Sequence, residues 1–345
     1  MEKISINTSD FRSEILIGEK WEAVSGLLPE KNVIIITDDN VNQLYGSRFP
    51  KLPVLSITPG EGSKKMEIIE FLAGKLLETG IDRSGFILAI GGGVVCDVAG
   101  FLASIYMRGI RCGYVSSTLL AQVDASTGGK NGVNLGGTKN MLGTIRQPEF
   151  VICDPAMLQT LPEKEYLSGL AELIKTAIIG DEELFGLIER NADEIMSRNA
   201  DLLTILVARS VRFKGMIVSE DERETGLRRI LNFGHTFGHA IELRKDVKHG
   251  FAVALGMELA TDFSLERGYI KPEDKERINN LLYRFNLMGQ HDLTDEQMEK
   301  LVLHDKKKTG NDIHFVFIEG IGKAFVERVP VNEVLGFYRK FRDKK

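Results

Sequence analysis

Cysteine is scarce in this 345-residue chain: Cys96, Cys112 and Cys153 are odd in number, far apart and form no CxxC pair. That excludes a disulfide framework and a thiolate zinc site, and each is expected to be a buried, reduced thiol. A basic excess is missing too. Lysine and arginine number 44 against 49 aspartates and glutamates, a formal charge of −5. A general nucleic-acid binder needs a basic face to displace counterions from phosphates, so no nucleic-acid partner is expected and any cationic cluster is local, serving a small anion. No run approaches the ~18 apolar residues of a membrane span, and MEKISINTSD lacks the apolar stretch of a signal peptide. The expectation is a cytoplasmic protein without a membrane partner. Proline is not in excess, and 43% hydrophobic with 27% charged residues is the balance of a folded enzyme rather than a disordered chain. A chain this long can bury roughly three quarters of its unfolded surface, in about two domains.

Two grammars divide the chain. From residue 31, short β-rich runs (NVIIITD, PVLSITP, GFILAIGGG, RCGYVSS, FVICD) alternate with helical stretches, as buried strands of a parallel sheet do. Between two of them, Met66, Ile69, Leu72, Ala73 and Leu76 recur at helical spacing after a Ser63 cap, which gives a βαβ unit. Beyond about Pro162 the segments starting near Glu163, Asp181, Asn199, Thr236, Phe251 and Pro272 all have helical period. One late exception, IHFVFIEGIGKAFVERV, reads as a hairpin around a glycine turn. The fold class expected is an N-terminal Rossmann-like α/β domain over 1–161 and a mostly helical domain over 162–345.

Within this frame several motifs carry chemistry. GFILAIGGGVVCDVAGF runs from strand through three glycines into a helix, a junction where backbone amides can approach a pyrophosphate at the helix N-terminus. It is not the full dinucleotide fingerprint, since Cys96 takes the last glycine position. TPGEGSKKM follows another strand end. The segment STLLAQVDASTGGKNGVNLGGTKNMLGTIRQP is long, polar and Gly-rich, and it reads as a binding loop carrying Lys130 and Lys139. Glu172 and Lys175 stand at i, i+3 on a helix apolar nearly all round, so both charges should be buried and in need of strong partners. His235, His239 and His249, half of the chain's histidines, fall within fifteen residues. Two imidazoles and a carboxylate make a common catalytic zinc site, with Glu172 the best carboxylate candidate. His235 and His239 share a helical face, and spacing alone leaves open whether both bind metal. Lys214, Arg228, Asn232 and Lys306 to Lys308, with Lys130, Lys139 and Lys175, would make a cationic pocket, tenable mainly around a multiply charged anion.

Together, GGGVVCD, STLLAQVDASTGGKNGVN, GLAELIKTAII, DERETGLRRILNFGHTFGHAIE and HGFAVALGM resemble the 3-dehydroquinate synthase family, in order, from about Thr58 to Lys308. The resemblance implies an NAD-binding domain, a helical domain and one divalent metal, zinc with cobalt as the alternative, in the cleft between them. It implies Glu172, His235 and His249 as metal ligands. NAD would lie against Pro59, Gly60, Glu61, Gly62, Ser63 and Lys64, against Gly93, Val94, Val95, Cys96 and Asp97, and near Ser117, Thr118, Lys130, Lys139, Met157, Leu158, Gln159 and Thr160. Asp124, Lys130, Asn140, Lys175, Lys214, Arg228, Asn232, His239 and Lys306 would line the substrate site, and Arg108 matches an arginine donated across a homodimer interface.

Cys96 for glycine, Ser117 for threonine and GEGSK for GEQYK are departures, all in the cofactor loops. The implied reaction, a step of the shikimate pathway, converts 3-deoxy-D-arabino-heptulosonate 7-phosphate to 3-dehydroquinate and phosphate through transient NAD oxidation, phosphate elimination, re-reduction and aldol cyclisation. Three rivals remain: a metal-dependent polyol dehydrogenase, which would not need so many cations; another sugar phosphate cyclase, whose substrate would lack the carboxylate that Arg228, Asn232 and His239 suit; and a non-enzymatic NAD sensor, which predicts loss of ligands or lysines.

Overall fold

The computed structural model describes residues 1–8, 11–136, 138–242, 247–289, 294, 298, 308–309 and 312–343. It divides into two compact units, the first made of Met1–Pro162 with Ala200–Arg223 and the second of Glu163–Asn199 with Glu224–Lys345.

In the first unit the strands are β1 (Glu2–Asn7), β2 (Arg12–Ile17), β3 (Val33–Asp38), β4 (Val54–Ile57), β5 (Phe86–Gly91), β6 (Arg111–Ser116), β7 (Lys130–Leu135), β8 (Thr138–Ile145) and β9 (Phe150–Cys153). Seven of them form one sheet in the order β1-β2-β9-β6-β5-β3-β4, parallel except for the β1–β2 hairpin at one edge. Every residue of β5 is buried, which is why FILAIG carries no polar alternation. Helices α1 (Asp39–Tyr45), α2 (Met66–Glu78) and α3 (Gly93–Ile105) connect β3 through β6. The chain steps outward from β3 to β4, returns past β3 to β5, and then continues to β6 in the opposite direction. Strand order therefore reverses between β3 and β5, the place where open parallel sheets bind ligands outside the carboxyl ends of their strands.

Three expectations are corrected here. Segment 117–148, read as a binding loop, is largely regular structure: a single π-helical turn, Ala121–Ala125, leads into the β7–β8 hairpin. The hairpin looked like a loop because of its glycines, and Gly132 pairs with Gly143 where a Cβ on either would lie 2.7 Å from the facing backbone oxygen. Ser63 does not cap α2, whose N-cap is Lys65; the Ser63 hydroxyl donates instead to Thr58 O at 2.5 Å. Met66, read as part of the apolar stripe of α2, is exposed.

The second unit begins with α4 (Glu163–Gly180), in which every residue from Tyr166 to Ile179 is buried. Helices α5 (Glu182–Arg190) and α6 (Ala192–Met196) follow, and α7 (Ala200–Glu220) belongs to the first unit, where it packs on β1 and the π-helical turn. Then come α8 (His235–Glu242), α9 (His249–Glu266), α10 (Pro272–Arg284), a three-stranded antiparallel sheet of β10 (Lys308–Thr309), β11 (Asp312–Gly320) and β12 (Lys323–Pro330), and a closing helix, Val331–Arg342. The hairpin read from the sequence is β11–β12. Its inner face packs Phe315 and Phe317 against Phe263 of α9, which stacks on Phe337 of the closing helix at 4.4 Å between ring centroids.

Candidate metal centre and cofactor loops

Three helices of the second unit meet at a cluster of donors, and small residues let them meet. Gly250, beside His249, has no room for a side chain because a Cβ would collide with the Ser168 backbone of α4, and Ser168 Oγ accepts from Gly250 N at 3.0 Å. Gly256 of α9 faces Gly234 and Gly238 equally closely, and Gly234, one residue before α8, has φ +77°, a conformation that costs glycine little. These contacts bring Glu172, His235 and His249 together, with their donor atoms all within 4.8 Å of one another.

Glu172 is 1% exposed, yet neither carboxylate oxygen has a well-aligned hydrogen bond among the described residues. Instead, Oε2 lies against Lys175 Nζ, while Oε1 is 3.2 Å from His249 Nε2 and 3.8 Å from His235 Nε2. Burial works to raise the Glu172 pKa, but the Lys175 charge and His249 outweigh it and hold the carboxyl down to about 2. For His249 burial opposes the charge, and Glu172 and Glu242 more than compensate, holding it up to about 10. These residues fit a divalent metal. Bonds of ~2.0–2.1 Å to a tetrahedral zinc separate neighbouring donors by roughly 3.3 Å, which the 3.2 Å from Glu172 Oε1 to His249 Nε2 matches and the 3.8 Å to His235 Nε2 exceeds by a small closure. With Lys175 at Oε2, it is the buried Oε1, turned to the two imidazoles, that a further cation would satisfy.

His239, one turn beyond His235, is exposed, and its ring stands edge-on to that of His235 at 5.2 Å between centroids. It is not part of the donor trio. Arg228, 2% exposed, lies on the 3-10 turn Leu227–Asn232. Asn232 Nδ2 donates to Glu224 Oε1 and to Arg229 O at 3.2 Å. Glu224 and Glu242 were not singled out in the sequence. Glu224 stands out only through its φ of +59°, and Glu242 only as the last letter of GHAIE.

In the first unit the expected residues fall into two groups. Lys214 of α7 donates to Asp124 Oδ1 at 2.6 Å and to Asp124 O at 2.7 Å. Separately, Lys64 donates to Asp97 Oδ2 at 2.7 Å and to Asn140 Oδ1 at 2.6 Å, while Asn134 Nδ2 donates to Glu61 Oε1 at 2.9 Å. Asn140, expected at the substrate, thus lies against Lys64 of the 59–64 loop, at φ +52°. Burial pushes the Asp97 carboxyl up to about 6 despite the Lys64 ammonium, and it lifts the Cys96 thiol above its ordinary value. Thr118 packs on Gly92, where a Cβ would come within 2.9 Å of it, and Ser117 N donates to Gly91 O at 2.9 Å.

In the 3-10 turn Pro155–Thr160, Met157 and Leu158 are buried, leaving the side chains of Gln159 and Thr160 exposed. Tyr45 OH holds Thr160 Oγ1 at 2.6 Å. Lys130 and Lys139 are exposed on the hairpin, and Arg108 is exposed with φ +70°, next to Met107 at +48°. Asp38, passed over in the sequence, ends β3 beside the strand-order reversal and caps α1. An acid ending the strand beside a glycine loop was the signal for it. Lys306 lies outside the described residues.

Comparisons with known proteins agree along the whole chain. Residues 54–168 match the family model of the 3-dehydroquinate synthase N-terminal part, and 169–308 match that of the C-terminal part. A 3-dehydroquinate synthase of Thermoanaerobacter pseudethanolicus is 43% identical over 91% of this chain and 92% of its own, and one from Dehalococcoides mccartyi is 36% identical over 99% and 100%. Among solved structures, 2-epi-5-epi-valiolone synthase from Streptomyces hygroscopicus, with NAD+ and Zn2+ bound, matches with a TM-score of 0.88 at 25% identity over 100% of this chain and 99% of that one. A 2-deoxy-scyllo-inosose synthase, complexed with carbaglucose-6-phosphate, NAD+ and Co2+, gives 0.84 at 25% identity over 98% and 100%.

Proposed function

The chain belongs to the 3-dehydroquinate synthase family, and from that premise we propose which of its residues carry the family's reaction. That reaction converts 3-deoxy-D-arabino-heptulosonate 7-phosphate to 3-dehydroquinate and phosphate, and makes the chain a carbon–oxygen lyase that uses NAD and a divalent metal. The observation that carries the assignment is the donor trio Glu172, His235 and His249 on three crossing helices.

In this reading the trio holds zinc or cobalt, which supplies Lewis acidity toward substrate hydroxyls, while NAD takes up and returns one hydride. Three protein donors leave a coordination position open. Lys175, set against Glu172 Oε2, keeps that oxygen occupied, so Oε1 is the atom turned toward the histidines. Lys214, which is buried, and the half-buried Asp124 form a donor and acceptor pair suited to orienting a hydroxyl and moving its proton. Arg228, Asn232, Lys130 and His239 serve the carboxylate and phosphate through charge-assisted hydrogen bonds. The loop 59–64, the α3 N-terminus and residues 157–160 hold NAD, with Asp38 placed to accept from a ribose hydroxyl. The first unit is thus the nucleotide domain and the second the metal domain.

We also read the protein as a cytoplasmic homodimer. No described helix is long and apolar enough to cross a membrane. Ile105, Leu135, Met141 and Ile145 expose apolar surface on α3 and the hairpin, the kind of surface that a partner covers, and Arg108 stands close by in sequence. The test is phosphate release from the heptulosonate phosphate with NADH absorbance followed in the same cuvette. Phosphate should appear steadily with NAD present and no NADH should accumulate. Stoichiometric NADH would indicate a dehydrogenase, and turnover after complete removal of NAD would refute the assignment.

A further inference from the structure

Glu242 is the last residue of α8, seven positions beyond His235, and its side chain is 8% exposed. A carboxylate in the last turn of a helix opposes the helix dipole, which favours cations there, so its burial needs a partner. One such partner is His249, whose Nδ1 lies 3.1 Å from Glu242 Oε1. An ionised carboxylate can only accept, so Nδ1 keeps its proton toward Glu242, and Nε2, the nitrogen 3.2 Å from Glu172 Oε1, is the one left to give up its proton and ligate a cation. The two histidines are held differently. His235 is 11% exposed at its side chain and turns Nδ1 to the neutral carbonyl of Phe233 at 3.2 Å. His249 is 30% exposed and opens α9. Charge differs as well: Glu172 is the one anion among the three donors, and Lys175 already lies against it.

We propose that Glu242 is a positioning residue of the metal centre: its carboxylate fixes the His249 ring with Nε2 toward Glu172, and its charge sets how tightly a divalent cation is held. The inference rests on reading Glu172, His235 and His249 as the metal ligands. Partners of this kind, behind a ligating imidazole, are worth 10–100-fold in metal affinity. Helix α8 then supplies the centre twice, with a ligand at its first residue and an orienting anion at its last.

The test compares zinc affinity, by competition with a chromophoric chelator, for the metal-free full chain and its Glu242→Gln variant, alongside thermal unfolding of both without metal. Glu242→Gln should bind zinc roughly 10- to 100-fold more weakly with its metal-free unfolding midpoint unchanged. Equal affinity overturns the proposal, and so does a loss matched by a lower metal-free midpoint, which would make Glu242 a purely structural residue. A second measurement needs no variant: long-range 1H–15N spectra of the zinc-loaded protein should show His249 protonated at Nδ1 and ligating through Nε2, and the opposite tautomer overturns the proposal. Failure of the underlying reading looks different, because the unaltered chain would then take up no zinc or His249→Ala would bind it normally.

Discussion

Replacing Gly256 by alanine tests whether backbone contact between α8 and α9 builds the metal centre. The new Cβ would land on Gly234 O and 2.7 Å from Gly238 N, where ordinary contact begins at 3.4 Å. Relief therefore needs at least 0.7 Å of separation at the nitrogen, and more at the oxygen. Both obstacles are backbone atoms, so no rotamer change can absorb the strain. Metal sites tolerate about ±0.2 Å in their bond lengths, so a shift of this size moves His235 out of register with Glu172 and His249. The expected result is loss of stoichiometric zinc together with a destabilisation of ~1–3 kcal/mol, the usual cost of overpacking. Gly74→Ala is the control: it lies inside α2 with nothing within 4 Å of the Cβ it would gain, and it should stabilise by roughly 0.5–1 kcal/mol through helix propensity. Zinc analysis and thermal unfolding of both metal-free variants decide the matter. A Gly256→Ala protein that holds one zinc with unaltered affinity refutes the argument.

His235→Ala should lose metal and activity, whereas His239→Ala should keep about one metal per chain, as three ligands suffice, yet turn over poorly; a metal-free His239→Ala protein would mean that the pair is divided wrongly. Lys130→Ala should fold normally, because Lys130 is exposed, and lose ~10- to 150-fold in kcat/KM, the equivalent of one charge-assisted hydrogen bond of roughly 1.5–3 kcal/mol; full activity at low substrate concentration would remove it from the anion site. Asp97, with its carboxyl pushed up to about 6 mainly by burial, binds its proton more tightly folded than unfolded, where the pKa is about 3.9. Its contribution to stability is complete below about pH 4 and is lost as pH rises through 6, up to roughly 3 kcal/mol in all. Asp97→Asn should flatten that part of the stability profile, and parallel profiles for the two proteins would show that Asp97 is not the group titrating.

The sequence displayed most clearly what rests on continuous apolar runs. FILAIGGG before α3 and GLAELIKTAII around Glu172 both need burial on every side, and burial on every side leaves an unbroken pattern. Features that depend on contacts distant in sequence were not legible. The β1–β2 edge went unread because its strands are short and half polar, with only Ile6, Ile15 and Ile17 deeply buried among its apolar residues. The β7–β8 hairpin hid behind glycines whose purpose, close approach of facing backbone, appears only once the strands are paired. Ser63 looked like a cap because a hydroxyl before an apolar helix usually is one, but a tighter turn at Thr58 claimed it. Glu242 illustrates the same limit at the site: nothing local marks a glutamate at a helix end as the support of a histidine seven residues further on.

The return of α7 to the first unit bears on how this chain can be made and divided. The polypeptide leaves that unit after Pro162 and re-enters it at Ala200, bringing Lys214 to Asp124 and Gly215 to Ile6. During synthesis from the N-terminus the first unit stays incomplete until Arg223 has emerged, so its last helix docks only after part of the second unit has been made. A fragment ending at Pro162 would leave the faces of β1 and of Ala121–Ala125 uncovered. For separate expression of the first unit, residues 200–223 should be spliced onto Pro162 through a linker, and a simple truncation should aggregate.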